Sequence, residues 1–435
     1  MPQPLGIGLL GLGTVGTGVA RLLTTHADRI SRRAGRPMLL RRVAVLDARK
    51  GRAVELPDGL VVEESRRIFD DPAIGVVVET IGGTEAALSL VMAALAAGKD
   101  VVTANKALLA DHGPAVFAQA RRFGRCVAFE ASVGGGIPIV QALGVGLAAN
   151  EVQSVSAIVN GTCNFILSAM ARDSLLYNRA LARAQELGYA EPDPTLDVDG
   201  TDTAHKLAVL AQLAFGAGVT TEMIPRSGID RLDAADIRCA AELGYGVKLL
   251  ALAKLGASGL ELRVAPTLVR HGMPLADVQG PYNAIRVVGD AVGDTLFYGR
   301  GAGAMPTASA VVGDLIDVAI GRASLTFRAL NLWPANAIPP KLASPRDVRS
   351  RYYLRFSIAD RPGVLGAIAA VLGRHNISIA SVIQHDPGDD TPPGAPVSLV
   401  MMSHVAVEAD VKAALGEIDR LEAVRPSSVC LGVEE

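Results

Sequence analysis

The stretch that decides the fold is residues 4–30, PLGIGLLGLGTVGTGVARLLTTHADRI. It starts with a short apolar run of the kind that forms a buried parallel strand. The run enters a G-x-G-x-x-G motif, and an amphipathic helical pattern follows. In this context the glycines permit a tight turn, a close approach of the backbone to a pyrophosphate and close helix–strand packing, while the helix N-terminus faces the phosphates. The pattern predicts a Rossmann-type α/β domain whose dinucleotide contacts Gly11, Gly13, Thr14 and Gly16.

The second predicted strand, residues 39–47, bears on the choice of cofactor. It ends in Asp47, where an acid usually holds the ribose hydroxyls of NAD. The basic residues Arg49, Lys50 and Arg52 follow directly and suit a 2′-phosphate. The sequence therefore leaves NAD and NADP both open, with acceptance of NADP slightly favoured.

The predicted strand 100–103 delivers Lys106 to the carboxyl edge of the sheet, where doubly wound folds bind their ligands. The alternative is a solvated lysine at a helix start.

Further on, Glu130 precedes a glycine-rich turn, residues 133–138, with many free carbonyl groups. Such a loop suits a phosphate through its N–H groups or a hard cation through its oxygens, and a plain tight turn is the alternative.

Length, net charge and cysteine content limit the classes of protein to which the chain can belong. The 435 residues predict about three domains, and the net charge of -2 gives no reason to expect nucleic acid or an anionic membrane as a partner. The four cysteines are far apart, which argues against a zinc site or disulfide framework and favours a reducing compartment. The uncharged stretches 131–149 and 152–171 are interrupted by Gly, Pro, Asn, Gln or Thr, so we expect no membrane span.

The stretch 186–206, ELGYAEPDPTLDVDGTDTAHK, is the predicted centre of the chemistry. It combines six carboxylates with one lysine, and a helical pattern begins at about Thr201. Asp202 and Lys206 are four residues apart and share one helix face. This arrangement suits a small polar substrate that carries an ammonium group. The alternative is a solvated turn with an ordinary surface ion pair, which stabilises little.

Cys163 lies in a predicted NGTCNF turn, where it is either a catalytic thiol or, as we favour, a packing residue.

The stretch 333–347, WPANAIPPKLASPRD, is proline-rich and predicts a linker. Beyond it, the pattern predicts a ferredoxin-like βαββαβ module that acts as a sensor or a dimerisation element.

Six motifs in this order resemble the homoserine dehydrogenase family. They are GLGTVG, VVTANKALLA, EASVGGGIPI, NGTCNFIL, GYAEPDP followed by GTDTAHK, and GRGAGAMPTASAVVGD. In addition, DRPGVLGAIAAVLGRHNISI resembles the opening of an ACT domain, an amino-acid-sensing module. The resemblance covers essentially the whole chain. It implies an NAD(P)-dependent oxidoreductase that interconverts L-homoserine and L-aspartate 4-semialdehyde, a step towards threonine, isoleucine and methionine.

The resemblance also implies roles for individual residues. Lys206 matches the family's proton donor and Lys106 a second active-site lysine that contacts cofactor and substrate, while Leu46 replaces a basic residue found in many members and weakens the case for strict NADP preference. The remaining matches are Glu191 and Asp202 for substrate binding, Val15, Gly188 and Gly303 for cofactor contacts, and Glu130, Val133, Gly135 and Ile137 for a sodium-binding loop.

Three domains are expected from these observations, together with an oligomeric, cytoplasmic enzyme. They are a Rossmann domain (1–130 plus about 304–335), an α+β catalytic and dimerisation domain (131–303) and, after a linker (336–350), an ACT-like regulatory domain (351–435). We expect a homodimer or homotetramer, with an amino-acid effector, threonine, bound around Asp360 to Leu365 and Asn376. The competing functions are an acylating semialdehyde dehydrogenase that uses Cys163 and a non-catalytic NAD(P)-binding regulator.

Overall fold

The computed structural model describes residues 2–334, 340–384 and 395–434. Residues 336–339 of the predicted linker and most of the predicted loop at 387–396 lie outside these described residues. The chain folds into two compact units, each built from three segments. Unit 1 contains Met1–Gly161, Thr201–Pro225 and Pro281–Pro340, and unit 2 contains Thr162–Gly200, Arg226–Gly280 and Lys341–Glu435.

Unit 1 combines a parallel sheet with antiparallel strands, and its elements are numbered here in chain order along the whole protein. They are β1 (Leu5–Leu10), α1 (Thr14–Thr25), α2 (Ala27–Ala34), β2 (Met38–Ala44), β3 (Val61–Val62), α3 (Arg66–Phe69), β4 (Ile74–Glu79), α4 (Glu85–Ala96), β5 (Asp100–Thr103), α5 (Lys106–Arg122), β6 (Val127–Ala128), α6 (Ile139–Gln141), β7 (Val152–Ile158), α10 (Thr201–Phe215), β10 (Tyr282–Gly289), β11 (Gly293–Arg300), α12 (Ala304–Ala319) and α13 (Arg322–Leu330).

The parallel sheet of unit 1 has the strand order β3-β2-β1-β4-β5-β6. Every residue of β1 is buried, as expected for a strand covered on both faces. The strand order reverses between β1 and β4, and a crevice for ligands forms at the carboxyl ends of strands at such a point. The Rossmann-type prediction is therefore confirmed. Strand β2 ends at Ala44, so the predicted strand end at Asp47 is wrong, and Asp47 lies in an exposed segment beyond the strand.

The remaining strands of unit 1 are antiparallel, with β10 between β11 and β7. Helix α12 packs against α1 and contributes Val311 and Leu315 to the same apolar core as β1. The contact is close, because a Cβ atom on Gly18 would lie 2.6 Å from the carbonyl oxygen of Ala304. A helix in this region that returns to the first domain is what the sequence predicts.

Unit 2 combines helices with a mixed sheet. Its elements are α7 (Gly161–Asp173, which begins at the last residue of a unit 1 segment), α8 (Tyr177–Glu186), α9 (Thr195–Val198), α11 (Ala234–Glu242), β8 (Tyr245–Gly256), β9 (Gly259–Arg270), β12 (Arg349–Ser350), β13 (Tyr352–Ala359), α14 (Val364–Arg374), β14 (Ile379–Gln384), β15 (Pro396–Ser403), β16 (Ala406–Val407), α15 (Glu408–Ile418) and β17 (Val424–Glu434).

The C-terminal part of unit 2 has the predicted βαββαβ order, and its strands lie in the order β17-β13-β15-β14. Strand β17 also pairs in parallel with β9, with Gly432 opposite Thr267. Chain segment 341–343 adds to this connection, because the Leu260 amide donates to the Lys341 carbonyl at 2.8 Å and the Ala343 amide to the Leu260 carbonyl at 2.9 Å. The middle of the predicted linker is therefore hydrogen-bonded to strand β9, and the boundaries of the three predicted domains stay a prediction beside the two observed units.

The described residues contain no single helix that is long and apolar enough to cross a membrane. Helices α12 and α13 together satisfy a test of length and composition, but they are bent by 95° at the break between them.

Candidate functional site

Three side chains meet at the start of helix α10. The Lys206 ammonium donates to Asp202 Oδ2 at 2.6 Å, and the Lys106 ammonium lies 3.1 Å from Asp202 Oδ1. Lys206 also donates to the Val159 carbonyl at 2.7 Å, just beyond the end of β7. The structure thus brings both predicted catalytic lysines onto one predicted substrate-binding carboxylate.

Local sequence explains how helix α10 presents this pair. Gly200 has a φ of 86°, a conformation that favours glycine, and the helix begins at the next residue. Asp202 and Lys206 then fall one turn apart on the same face. The side chains of both residues are only 12% exposed, which excludes the alternative of an ordinary solvated surface pair.

The two lysines set the charge of Asp202. Burial by itself raises the pKa of this carboxyl group, but the nearby ammonium groups of Lys206 and Lys106 lower it more, with hydrogen bonds from Lys206 and Asn160 adding to the effect. The pKa of Asp202 is therefore held well below its usual range. Asp202 is an anion at neutral pH and balances the two positive charges.

Lys106 is the first residue of α5. Asn105 caps this helix, and its side-chain oxygen accepts a hydrogen bond from the Leu108 amide at 3.0 Å. The Lys106 side chain is 37% exposed, more than that of Lys206. Lys106 is therefore fixed at its helix start and paired with Asp202, rather than solvated alone.

The glycine loop has the geometry that a dinucleotide requires. Gly11 has a φ of 92°, and a Cβ atom on Gly16 would lie 2.2 Å from the Gly11 carbonyl oxygen, so both positions require glycine. Gly13 is the N-cap residue of α1 and has no side chain that could accept a hydrogen bond from the first helical amides. These amides are therefore available to bind a phosphate. Thr14 and Val15 form the first turn of α1. The donor chemistry of this loop fits the phosphates of a nicotinamide dinucleotide.

Arg52 approaches the glycine loop from the segment after β2. Its guanidinium donates to the Asp47 carbonyl at 2.6 Å and to the Leu12 carbonyl at 3.5 Å. Its Nε atom is buried with no hydrogen-bond partner. Arg52 therefore lies beside the predicted ribose position, whereas Leu46 and Asp47 are exposed.

The predicted sodium loop is buried and tightly turned. Glu130, Val133 and Ile137 are at most 5% exposed, and Gly135 has a φ of 58°. The Glu130 carboxylate accepts hydrogen bonds from the Val140 and Gln141 amides at 2.8 Å, so it is already engaged. Backbone carbonyls of this tight turn are oxygen ligands of the kind that a hard monovalent cation takes. No cluster of three or more His, Cys, Asp or Glu side chains suited to a metal ion occurs among the described residues.

Two buried acids, Glu130 in this loop and Asp314 on α12, lie close together. Burial raises the pKa of Glu130 to about 7, against the lowering effect of the two amide hydrogen bonds. Burial and the neighbouring Glu130 raise the pKa of Asp314 well above its usual value, and Asp314 Oδ2 accepts a hydrogen bond from the Glu130 amide at 2.9 Å. A cavity of about 430 Å³ lies against both acids and is lined by Phe117 and Phe327, with none of the lysine cluster in its wall.

Cys163 is a packing residue in this structure. It is fully buried, and its thiol donates to the Asp197 carbonyl at 3.2 Å. The predicted turn at this motif is wrong, because α7 begins at Gly161 and places Cys163 inside its first turn. The thiol is therefore directed to backbone rather than poised as a nucleophile.

The other predicted contacts are spread over both units. Gly303 has a φ of 117° and caps α12 in unit 1. Gly188, with a φ of 72°, follows α8 in unit 2 and is exposed. Glu191 is also exposed in unit 2, where its carbonyl and that of Pro192 accept hydrogen bonds from Gln185 at 3.2 Å.

Sequence reasoning missed several buried polar residues that lie at or near the predicted site residues. Asn160 donates to Asp202 at 2.9 Å, whereas the motif NGTCNFIL in which it lies predicts no role for it. Glu79 and Thr103 are buried at the ends of neighbouring strands, where the apolar pattern predicts only a strand. A polar residue at the end of an apolar run was the available signal. Asp314 gave no such signal, since it lies inside a helix.

Three family profiles match the chain in succession. Residues 11–130 match "Homoserine dehydrogenase, NAD binding domain", residues 138–316 match "Homoserine dehydrogenase" and residues 352–423 match "ACT domain". Together they account for most of the described protein.

Individual proteins match over nearly their full lengths. Homoserine dehydrogenase of Neisseria gonorrhoeae is 42% identical over 435 residues, covering 99% of both chains. That of Pseudomonas aeruginosa is 42% identical, covering 100% of this chain and 99% of its own. The crystal structure of a homoserine dehydrogenase from Thiobacillus denitrificans superimposes with a TM-score of 0.91 at 44% identity, covering 99% of this chain and 98% of its own.

Proposed function

The chain belongs to the homoserine dehydrogenase family of NAD(P)-dependent oxidoreductases, and from that premise we propose that Lys206 gives the proton to the substrate oxygen when L-aspartate 4-semialdehyde is reduced to L-homoserine. The observation that carries this proposal is the largely buried Lys206 ammonium, held by Asp202 and by the Val159 carbonyl. Two of its three N–H groups have these partners, so a third is left to point at a substrate oxygen.

The chemistry needs a positive group at this place. The nicotinamide cofactor supplies or accepts the hydride. Reduction of the aldehyde leaves negative charge on its oxygen, and an ammonium group within ~3 Å stabilises that charge and donates a proton. Lys106, on the opposite oxygen of Asp202, is proposed to contact both cofactor and substrate. Asp202 keeps both lysines in place.

The substrate carries an α-ammonium group, which we assign to Glu191 and Asp202. Glu191 is exposed in a loop that holds it by its carbonyl, so its carboxylate remains available. Asp202 already balances two lysines, which makes Glu191 the stronger candidate for the ammonium group. Gly188 and Gly303 are proposed as cofactor contacts along with the glycine loop.

For the cofactor we propose that NADP is accepted along with NAD. Arg52 supports this, because its guanidinium lies at the glycine loop with a buried Nε that has no partner. A 2′-phosphate at this position would offer the guanidinium group a charged acceptor. The adjacent Arg49 and Lys50 are exposed and add positive charge.

For the loop of Glu130, Val133, Gly135 and Ile137 we propose that backbone carbonyls bind a sodium ion. Burial of the loop and the left-handed Gly135 support a rigid site. Replacing Na⁺ by a large organic cation in the buffer should lower the melting temperature, and an unchanged melting temperature would oppose the proposal.

For the C-terminal module we propose that an amino acid, threonine, binds around Asp360 to Leu365 and Asn376 and lowers activity. This stretch is mostly exposed and leads into α14, and Asp360 accepts a hydrogen bond from Gln384 at 3.4 Å. A homodimer or homotetramer and a cytoplasmic location stay predictions.

The deciding experiment replaces Lys206 by methionine. We expect turnover to fall by roughly 10² to 10⁴, the usual range for a positioned acid–base group, while cofactor titration stays normal. Lys412→Met is the matched control, because Lys412 also forms an i,i+4 ion pair, with Glu408, but its side chain is 60% exposed. Near-normal turnover of Lys206→Met would reject the assignment.

A further inference from the structure

Beyond the lysine cluster, a buried carboxylate organises the edge of the parallel sheet. Glu79 is the last residue of β4 and is fully buried. Its Oε1 atom accepts hydrogen bonds from the Ile81 amide at 2.8 Å and the Gly82 amide at 3.4 Å. Its Oε2 atom accepts one from the Thr103 hydroxyl at 2.6 Å. Glu79 therefore joins the loop after β4 to the end of the neighbouring strand β5.

The connection continues to the start of helix α5. The Thr103 hydroxyl accepts a hydrogen bond from the Asn105 amide at 3.0 Å. The Asn105 side chain donates to the Gly83 carbonyl at 2.7 Å and accepts from the Leu108 amide. Asn105 thus closes a ring of hydrogen bonds back to the loop and caps the helix that begins with Lys106.

The same loop is fastened to the glycine loop. The Thr80 hydroxyl donates to the Leu10 and Gly11 carbonyls at 3.1 and 3.2 Å. A Cβ atom on Gly11 would lie 2.9 Å from the Ile81 side chain, so the two loops are in close contact. Hydrogen bonds at both ends of the segment from Glu79 to Gly83 therefore connect the glycine loop, through this segment and Thr103, to the residue before Lys106.

We propose that Glu79 and Thr103 are positioning residues that fix Lys106, and the loop at Gly82 and Gly83, relative to the dinucleotide-binding loop. The inference rests on the proposed role of Lys106 in turnover. Asp202 holds the tip of the Lys106 side chain at 3.1 Å, and the Glu79–Thr103–Asn105 network holds its backbone. A displacement of a reacting group by about 1 Å can lower a rate by about 10²-fold. A network that fixes the backbone of Lys106 is therefore expected to raise kcat.

The test uses two substitutions at Thr103, whose side chain is fully buried. Thr103→Val keeps the shape but removes the hydroxyl that bridges Glu79 and Asn105, whereas Thr103→Ser keeps the hydroxyl. We expect Thr103→Val to lower kcat by about 10- to 100-fold, with the cofactor dissociation constant within about threefold of the wild-type value. We expect Thr103→Ser to retain kcat within about threefold.

Lys99→Met controls for a general loss of stability. Lys99 is buried at the opposite end of the same strands, where it donates to the Asp71 and Ile74 carbonyls at 2.8 Å. The Lys99→Met substitution should lower the melting temperature and leave kcat unchanged. An equal fall of kcat in Lys99→Met and Thr103→Val would reduce the network to a structural role and overturn the inference.

A second readout does not depend on turnover. In the ligand-free protein, acylation of Lys106 by an amine reagent should be at least about threefold faster in Thr103→Val than in Thr103→Ser, because the helix start is loosened. The exposed Lys254 serves as internal reference and should react equally in both. Equal labelling of Lys106, or wild-type kcat in Thr103→Val, would overturn the inference and leave the proposed function intact. A wild-type protein without homoserine-dependent reduction of NAD(P)⁺ would instead reject the proposed function, and the labelling would still test the network.

Discussion

Arg355 holds the fully buried carboxylate of Asp236 with two of its guanidinium nitrogens, Nε to Oδ1 at 2.5 Å and Nη2 to Oδ2 at 3.0 Å. Arg355 lies on β13, the first long strand of the C-terminal module, and Asp236 lies on α11. The Tyr353 hydroxyl donates to the same carboxylate at 3.1 Å. This contact fastens the predicted regulatory module to a helix of the preceding segment.

Loss of this pair should destabilise the protein strongly. Arg355→Leu leaves an uncompensated buried carboxylate, so we expect the free energy of unfolding to fall by about 3 to 5 kcal/mol in urea titrations. Arg172→Leu is the control, because the Arg172 side chain is 71% exposed in its pair with Asp173, and it should leave the free energy of unfolding nearly unchanged. Similar costs for the two variants would contradict the prediction.

Removing the charge of Asp202 should impair both lysines. Asp202→Asn keeps the size of the side chain but leaves Lys106 and Lys206 without the anion that balances them, so we expect kcat/KM to fall by roughly 10²-fold or more. Because the wild-type pKa of Asp202 is held low, its titration should contribute no limb to the pH profile around neutrality. Glu186→Gln, an exposed acid of the same stretch, should have no effect. Full activity of Asp202→Asn would argue against the lysine cluster as the site.

Arg52 should discriminate between the two cofactors. Arg52→Leu removes a guanidinium group that faces the proposed 2′-phosphate, and a charge-assisted hydrogen bond contributes about 1.5 to 3 kcal/mol. We therefore expect KM for NADPH to rise by roughly 10-fold or more, with KM for NADH changed by less than about threefold. Steady-state kinetics with aspartate semialdehyde measure both. Parallel changes for the two cofactors would place the 2′-phosphate elsewhere.

Buried Lys248 should make stability depend on pH. Burial lowers its pKa to about 8, against the raising effect of Asp277, and its ammonium donates to the Val278 carbonyl and to Asn164. Between this value and the usual pKa, the unfolded chain binds more protons than the folded one, so the contribution of Lys248 to stability rises with pH in that window and is lost as pH falls through about 8. The wild type should gain up to about 3 kcal/mol relative to Lys248→Met from pH ~8 to ~10.5 in urea titrations. A pH-independent difference would show that the pKa is not lowered.

Threonine should act through the C-terminal module. Asn376 has a φ of 56°, which glycine adopts without strain, so Asn376→Gly deletes the side chain and keeps the backbone. We expect the threonine concentration for half-inhibition to rise by about 10-fold or more, as for the loss of a hydrogen bond of about 1.4 kcal/mol. Thermal shift with and without threonine provides the matching binding measurement. Threonine that changes neither activity nor melting temperature of the wild type would refute this prediction.

Local pattern was enough to predict several elements. The glycine motif between an apolar run and an amphipathic helix predicted the Rossmann-type domain. Each of its glycines occupies a position where the backbone must turn tightly, approach the pyrophosphate or pack closely against the helix. The pairing of Asp202 with Lys206 also followed from sequence, since helical periodicity alone places residues four apart on one face. The turn predicted at Cys163 is wrong, because the Gly and Asn residues around it favour a turn by local preference, whereas α7 already begins at Gly161 and buries Cys163.

The sequence by itself determined the first strand, the dinucleotide loop with its helix and the helix that presents Lys206, because these depend on neighbours a few residues apart. Only the tertiary structure decided that Lys106 reaches the same carboxylate, that Glu79 and Thr103 link its helix to the glycine loop, and that β17 pairs with β9. Those relationships join residues distant along the chain, and their geometry is set by the register of strands and the packing of buried surfaces, which no local spacing encodes.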